Sequence, residues 1–327
     1  MNRRDFIKSS SLAAAAGLLA SHGFKPAKAQ SDQTYYMVSF LSGISFWADA
    51  YRGMESGAAY LGVNVEYTGI PEYDITGEVR VLDEVLGQEP DGVVVTVIQA
   101  EAMQPSIDSA IDSGIPVVAF DSDSPLSKRY AFLGTGNYAA GVTAARYIGG
   151  LNPSGKAAVV TVPSQNNLAL RTQGFIDTIV AEYPDIETGD SFIVDNQNTS
   201  EQAAAGLSAL LQAETDINGV FSSNAQAAIG AASALREAGL TESVNHIGFD
   251  FDEGTLDLID NGELGATLAQ GTWQMGFWGL LFVYMVRNGL IESVGDWQAA
   301  GISPLPPNVD TGVVVINKTN SQFWRAG

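Results

Sequence analysis

The chain has 327 residues, with 37 Asp and Glu against 16 Lys and Arg, two histidines and no cysteine. A balance this acidic makes nucleic acid a poor partner, because phosphate binding needs clustered lysine and arginine, and an anionic membrane face is excluded for the same reason. Disulfide chemistry is absent, and two histidines do not make a His cluster for zinc.

At the N-terminus, "NRRDFIK" precedes the apolar run "SLAAAAGLLA" and a small-x-small site at Ala27–Ala29. That order predicts a secretory signal peptide over residues 1–29. The paired Arg3 and Arg4 point to the twin-arginine route, the competing reading being an ordinary amphipathic helix. The run is too short to span a bilayer, which takes about 20 residues. The mature chain is therefore expected to start near Gln30 and to work in the periplasm. Its 11 basic and 36 acidic residues would give a net charge of −25. Such a chain repels itself unless salt screens it. Its melting temperature is expected to rise between about 0.01 and 1 M monovalent salt, as the Debye length falls from about 30 to 3 Å. A flat or falling series in scanning calorimetry would overturn this.

From Thr34 onward, short β-rich runs alternate with longer helical stretches. Strands are predicted at "TYYMVSF", "VNVEYTG", "DGVVVTVI", "IPVVAFD", "YAFLGT", "AAVVTV", "SFIVD", "GVFSSN", "VNHIGFD", "ATLAQ" and "TGVVVIN". Helices are predicted at 46–61, 76–88, 137–149, 168–183, 200–213 and 225–238; in the second of these Val79, Leu82, Val85 and Leu86 recur at helical spacing. Nearly continuous apolar strands separated by helices mean parallel sheets covered on both faces, so the fold class is α/β. The uncharged "GFWGLLFVYMV", residues 276–286, reads as a buried crossover helix, with membrane or partner docking as the alternative. His246, at the entry of "HIGF", reads as structural.

The pattern is doubled about Gly136. "VVAFDSDSP" in the first half is echoed by "HIGFDFDEG" in the second, and each delivers a carboxylate, Asp121 or Asp250, where an apolar strand ends. Open parallel sheets bind ligands at that edge. Two such sheets face to face would make a cleft with Asp121 and Asp250 on opposite walls.

In order along the chain, "GISFWADAYRGMESGA", "IPVVAFDSDSP", "LGTGNYAAG", "LRTQGF", "GVFSSNAQAAIGA", "IGFDFDEG" and "ATLAQ" resemble the ribose-binding-protein branch of periplasmic sugar-binding proteins, solute receptors of ABC transporters. The resemblance covers essentially the whole mature chain. It implies two doubly wound parallel-sheet lobes joined by a three-strand hinge, the type I periplasmic binding protein fold. The lobes would be 31–136 plus 271–306 and 137–270 plus 307–327. It further implies a monomeric receptor without catalysis, cofactor or metal, which binds a sugar or polyol in its cleft and hands it to the membrane subunits of an ABC permease.

The family's ligand contacts carry over onto Phe46 and Trp47 as stacking aromatics, Asp121 as hydroxyl acceptor, Arg171 as the binding arginine, and Asn224, Asp250 and Gln270 in the second lobe and hinge. Around "VDNQNTSE" the register leaves Asn196 or Asn198, with Asn196 taken. Two departures weigh against ribose itself: Ser122 stands where that branch has an arginine, and Ile44 where it has a polar residue. Chemically the set suits a sugar, whose C–H faces match aromatic rings and whose hydroxyls match Asp, Asn, Gln and Arg.

Each assignment has a plainer competitor. Phe46 and Trp47 would also serve as core residues opening a helix, Arg171 as a surface residue, and Asp250 and Asn224 as helix caps. "GTGNYAAG" has its third glycine too late for a dinucleotide loop and reads as the first hinge crossing. The rival function is a haloacid-dehalogenase-like magnesium phosphotransferase using Asp121 and Asp123. Against it, the Asp pair follows several βα units, and none of the mature lysines (Lys128, Lys156, Lys318) opens a helix after a strand. A lac-repressor-type sensing core shares the fold, but the export signal and the lack of a basic DNA-reading helix argue against it.

Overall fold

The computed structural model describes residues 32–291 and 299–325; the signal-peptide reading for residues 1–29 lies outside them. The first half runs β1 (Thr34–Ser39), α1 (Ser45–Leu61), β2 (Asn64–Gly69), α2 (Ile75–Leu86), β3 (Gly92–Val95), α3 (Ala100–Asp112), β4 (Val117–Phe120) and β5 (Phe132–Gly134). The second half repeats the plan with α4 (Asn137–Leu151), β6 (Gly155–Thr161), α5 (Asn166–Glu182), β7 (Ile186–Glu187), β8 (Ile193–Asp195), α6 (Ser200–Ala213), β9 (Ile217–Ser222), α7 (Ala225–Glu237), β10 (Asn245–Phe249), α8 (Glu253–Asn261) and β11 (Ala266–Gln270). The chain then returns through α9 (Thr272–Arg287), β12 (Asn308–Asp310) and β13 (Val313–Asn317).

Two sheets result, ordered β12-β5-β4-β3-β1-β2 and β13-β11-β10-β9-β6-β7, with β8 also on β6. All pairings are parallel except β11 with β13. Each sheet has a helix layer on both faces, and strand alternation sorts the side chains between them. In β1, Tyr35 and Met37 pack toward α1 and α9 with Met54 and Leu280, whereas Tyr36 and Val38 pack toward α2 and α3 with Leu82 and Ile107. In β6, Ala157 and Val159 face Phe175 and Ile179 of α5, while Ala158 and Val160 face Leu207 of α6 and Leu235 of α7. Burial on both faces is why these strands are apolar without a break.

The predicted crossover helix is α9. It lies against α1 so closely that a Cβ on Gly276 would sit 1.8 Å from the Ala50 carbonyl oxygen. Among the described residues no helix is long and apolar enough to cross a membrane.

Three segments connect the two sheets: Thr135–Gly136, Gly271 and Thr311–Gly312. The first and third are laced together. The Thr311 amide donates to the Gly134 carbonyl at 2.8 Å, and one oxygen of Asp310 accepts from the Gly136 and Gly312 amides, both at 2.7 Å. Between the second and third of these segments, β12 pairs with β5 in the first sheet, and after the third, β13 pairs with β11 in the second. The three-residue β12 follows a proline-rich turn and shows no apolar run, which hides it from periodicity.

Candidate ligand site

The doubling read from the sequence becomes geometric at the two carboxylates. Asp121 follows β4 and Asp250 follows β10, equivalent strands of the two sheets. Each sits in the left-handed region, at φ 60° and 66°. Each donates its amide to a leucine carbonyl on the neighbouring strand, Leu133 or Leu268, at 2.9 Å. Aspartate tolerates that conformation better than most residues. The kink ends the ladder and turns the next residues out along the sheet edge.

Between the carboxylates lies Arg171, on α5 and only 4% exposed, which excludes the surface reading. It is carried inward because α5 packs tightly on α4: a Cβ on Gly141 would lie 2.0 Å from the Arg171 carbonyl oxygen. Its guanidinium donates to the Asn137 side chain at 2.8 Å, to the Ser223 carbonyl at 2.8 Å and to Gln270 Oε1 at 3.4 Å. It also stacks on Phe249, 3.6 Å from the ring centroid. The cation is engaged at its edges and on one face, which is what a buried charge requires.

Gln270, at the end of β11 and 7% exposed, joins the groups. Its Oε1 accepts from Thr135 at 2.6 Å, and its Nε2 donates to Asp250 at 2.7 Å. Asp250 is thus held by a hinge amide, and the nearby helix cap is Asp252, which accepts from the Thr255 amide at 2.7 Å; the cap reading of Asp250 fails. Asp121 differs. Among the described residues no group donates a hydrogen bond to its carboxylate, and the charges of Arg171 and Asp250 act on it.

These surroundings shift the titration of all three. Burial pushes Asp121 up to about 7, with the Asp250 charge adding and the Arg171 charge opposing. Burial likewise raises Asp250, against Arg171 and the Gln270 hydrogen bond. Burial lowers Arg171 to about 10, with both carboxylates resisting. A group that donates to both aspartates would favour their charged forms, and so would compensate for their desolvation.

Asn224 and Asn196 lie together in the second lobe. Asn224 caps α7, accepting from the Ala227 amide at 2.8 Å, and exchanges amide contacts with the fully buried Asn196 at 3.3 and 3.4 Å. Of the two asparagines left open, Asn198 is exposed and Asn196 buried. The cap reading of Asn224 holds, and it leaves the amide nitrogen turned toward Asn196.

The aromatic pair divides. Phe46 is half-buried and lines a cavity of about 230 Å³ with Ile44, Asp49, Asp250, Gln270 and Thr272. Trp47 is 2% exposed and lies in the first-lobe core, edge-on to Phe40, Phe46 and Phe120. Its place is that of the core reading, with Phe46 between it and the cavity's lining.

Asp123 belongs to the scaffold. Both its oxygens accept from the Arg129 guanidinium, which also donates to the Pro307 carbonyl at 2.9 Å. An aspartate so engaged is not available to share a magnesium ion with Asp121. Ser122 turns inward to accept from the Val97 amide at 2.9 Å. The buried Glu78 accepts from Thr96 and from the Ile98 amide, both at 2.8 Å, and burial raises it to about 7. Together these bonds fix the loop that carries Asp121. His246 is structural: it is buried against Ser222 at 2.9 Å, and burial lowers it to about 3.

Sequence reasoning missed Thr135, Asn137, Ser223 and Asp310. Small polar residues at strand ends carry no periodic signal, although "GTGN" and "SSN" fell within the motifs singled out.

Two lobes whose equivalent strand ends face each other across a buried cation and two carboxylates define a ligand-trapping receptor. The chain belongs to the periplasmic binding protein domain family, whose sequence profile matches residues 35–290. Among solved structures, it is 37% identical to a sugar-binding protein of a sugar ABC transporter from Bacillus halodurans, covering 90% of this chain and 100% of that one at a TM-score of 0.85. The arabinose-binding protein AraP from Geobacillus stearothermophilus matches equally, at 37% identity, TM-score 0.85 and the same coverage. A xylose/arabinose-binding protein from Sulfolobus acidocaldarius is 25% identical over 297 residues, 85% of this chain and 69% of its own. The protein is accordingly a sugar-binding transport receptor of the type I periplasmic fold, and not an enzyme.

Proposed function

We propose that the protein binds one pentose or closely related polyol, with arabinose the first candidate, in the cleft between its lobes. The observation that carries this reading is the Asp121–Arg171–Asp250–Gln270 cluster, in which Asp121 is left with acceptor capacity open. The carboxylates accept from ligand hydroxyls, the guanidinium and amides hold ring and hydroxyl oxygens, and Phe46 covers an apolar face. The arabinose preference rests on the two arabinose-binding relatives. The ligand-loaded receptor then docks on the membrane subunits of an ABC permease, acting as a monomer exported by the twin-arginine pathway. The lobes divide at Gly136, Gly271 and Thr311–Gly312.

A thermal-shift screen of pentoses, hexoses, inositols and sugar alcohols tests this. A cognate ligand at 100 times its dissociation constant should add about 2.7 kcal/mol of stability. Contacts to both lobes should favour the closed form, so small-angle scattering is expected to show a smaller radius of gyration with ligand. No compaction with a saturating ligand would contradict a cleft-bound sugar.

A further inference from the structure

The cavity among Phe46, Asp250 and Gln270 does not end blindly. It shares Asp49, Phe251, Asp252 and Gln270 with a groove of about 810 Å³, more than three times its own volume of about 230 Å³. The groove runs along the flank of the hinge, and each lobe supplies one wall. On the first-lobe side Trp273 stacks on Phe277 at 4.8 Å and 13°. On the second-lobe side Trp324 meets Phe251 edge-to-face at 4.9 Å, and Phe323 beside it is 80% exposed.

Aromatic surfaces in a groove interleaved with polar side chains are what a chain of sugar rings needs, since each ring offers an apolar face and a rim of hydroxyls. The exposed Gln274 supplies an amide at the first-lobe wall. The second-lobe wall is fixed by Arg325, which pairs with Glu253 at 2.6 Å, Asp257 at 2.9 Å and Asp260 at 2.6 Å. The short helical turn bearing Phe323 is pinned by Ser321, bonded to Asp260 at 2.7 Å. These pairings hold the second-lobe wall in place.

We infer that the cleft is the inner end of a longer carbohydrate site, in which the groove between Trp273 and Phe323–Trp324 takes the second ring of an oligosaccharide whose first ring lies at Asp250 and Gln270. This rests on the reading of the inner cleft as a sugar site. A ring in the groove touches both lobes, so it strengthens closure as the inner ring does.

Titration calorimetry with paired probes separates the two claims: arabinose and α-1,5-arabinobiose, xylose and xylobiose, galactose and lactose. At least one disaccharide is expected to bind about tenfold or more tightly than its monosaccharide. Phe323→Ala and Gln274→Ala, both at exposed positions, are each expected to weaken the disaccharide about threefold to tenfold and leave the monosaccharide within twofold. If monosaccharides bind and no disaccharide does, the groove inference falls and the inner site stands. Disaccharide binding indifferent to both substitutions also overturns the groove. If no probe binds, the sugar reading of the cleft fails and takes this inference with it.

Discussion

Arg171→Met is expected to be the most damaging single substitution in the site, lowering stability by about 3–5 kcal/mol at pH 8, the cost of removing one member of a buried ionic set. Methionine fills most of the volume but donates nothing. Asn137, the Ser223 carbonyl and Gln270 would each lose a donor, and Asp121 and Asp250 would lose the cation between them. At about 2–4 °C per kcal/mol for a protein of this size class, the melting temperature should fall by roughly 6–20 °C. The loss should shrink at low pH. Both aspartates are already raised by burial, and without the arginine they rise further; as pH falls they become neutral and no longer need it. Calorimetric melting of both proteins at pH 8 and pH 5 decides the matter. A variant as stable as the parent at pH 8, or equally damaged at both pH values, would show that the cation is not balancing the pair.

Asp121→Asn addresses binding. Because no described residue donates to Asp121, a ligand hydroxyl that donates to it makes a charge-assisted hydrogen bond with nothing to displace but water. The amide keeps the shape but turns one acceptor into a donor, mispairing a buried hydroxyl. The expected cost is about 2–4 kcal/mol, or roughly 30- to 1,000-fold in affinity. The same change at Asp123 should cost less, since that side chain serves Arg129.

The pH dependence has a definite sign. In the free protein Asp121 titrates at about 7. A hydroxyl donor prefers the carboxylate, so affinity should be flat above that pH and weaken below it, by up to about tenfold per unit. Stability of the ligand-free protein runs the other way. The folded value of about 7 exceeds the ordinary 3.8, so this group's contribution is fully present below about pH 4 and is lost as pH rises through about 7. Titrations of parent and Asp121→Asn at pH 8, 7 and 6 test the binding statement, and melting of the ligand-free proteins over the same range tests the other. An affinity unmoved by the substitution would remove Asp121 from the site; one unmoved by pH would remove its proton from the mechanism.

Much of the fold was legible because burial imposes a pattern on residue type. The short unbroken apolar runs at Val93–Val95, Val117–Phe120 and Ala157–Val160, each set between helices, follow from sheets covered on both faces and so mark parallel strands. Short elements with weak patterns escaped: β7 has two residues, and β12 has three behind a proline-rich turn. The motif residues around the cleft were legible in type but not in role. Arg171 looked the same in sequence whether it faced solvent or the interior; the close approach of α5 to α4 at Gly141 settled it. Trp47 and Phe46 are adjacent, yet a helical turn of about 100° per residue sends one into the core and leaves the other at the cavity.

By itself, the sequence determined the class of fold, the doubling, and the two aspartates at strand ends, because these depend on local alternation of apolar and polar residues. The tertiary structure alone decided that Asp121 remains unpartnered among the described residues while Asp250 is held by Gln270, that Asp123 is bound to Arg129, and that Asp310 ties two of the hinge crossings. Those are pairings between residues that the fold, not the local pattern, brings together. Which of several identical side chains meets a partner depends on where the helices and strands are packed, and no local pattern records that.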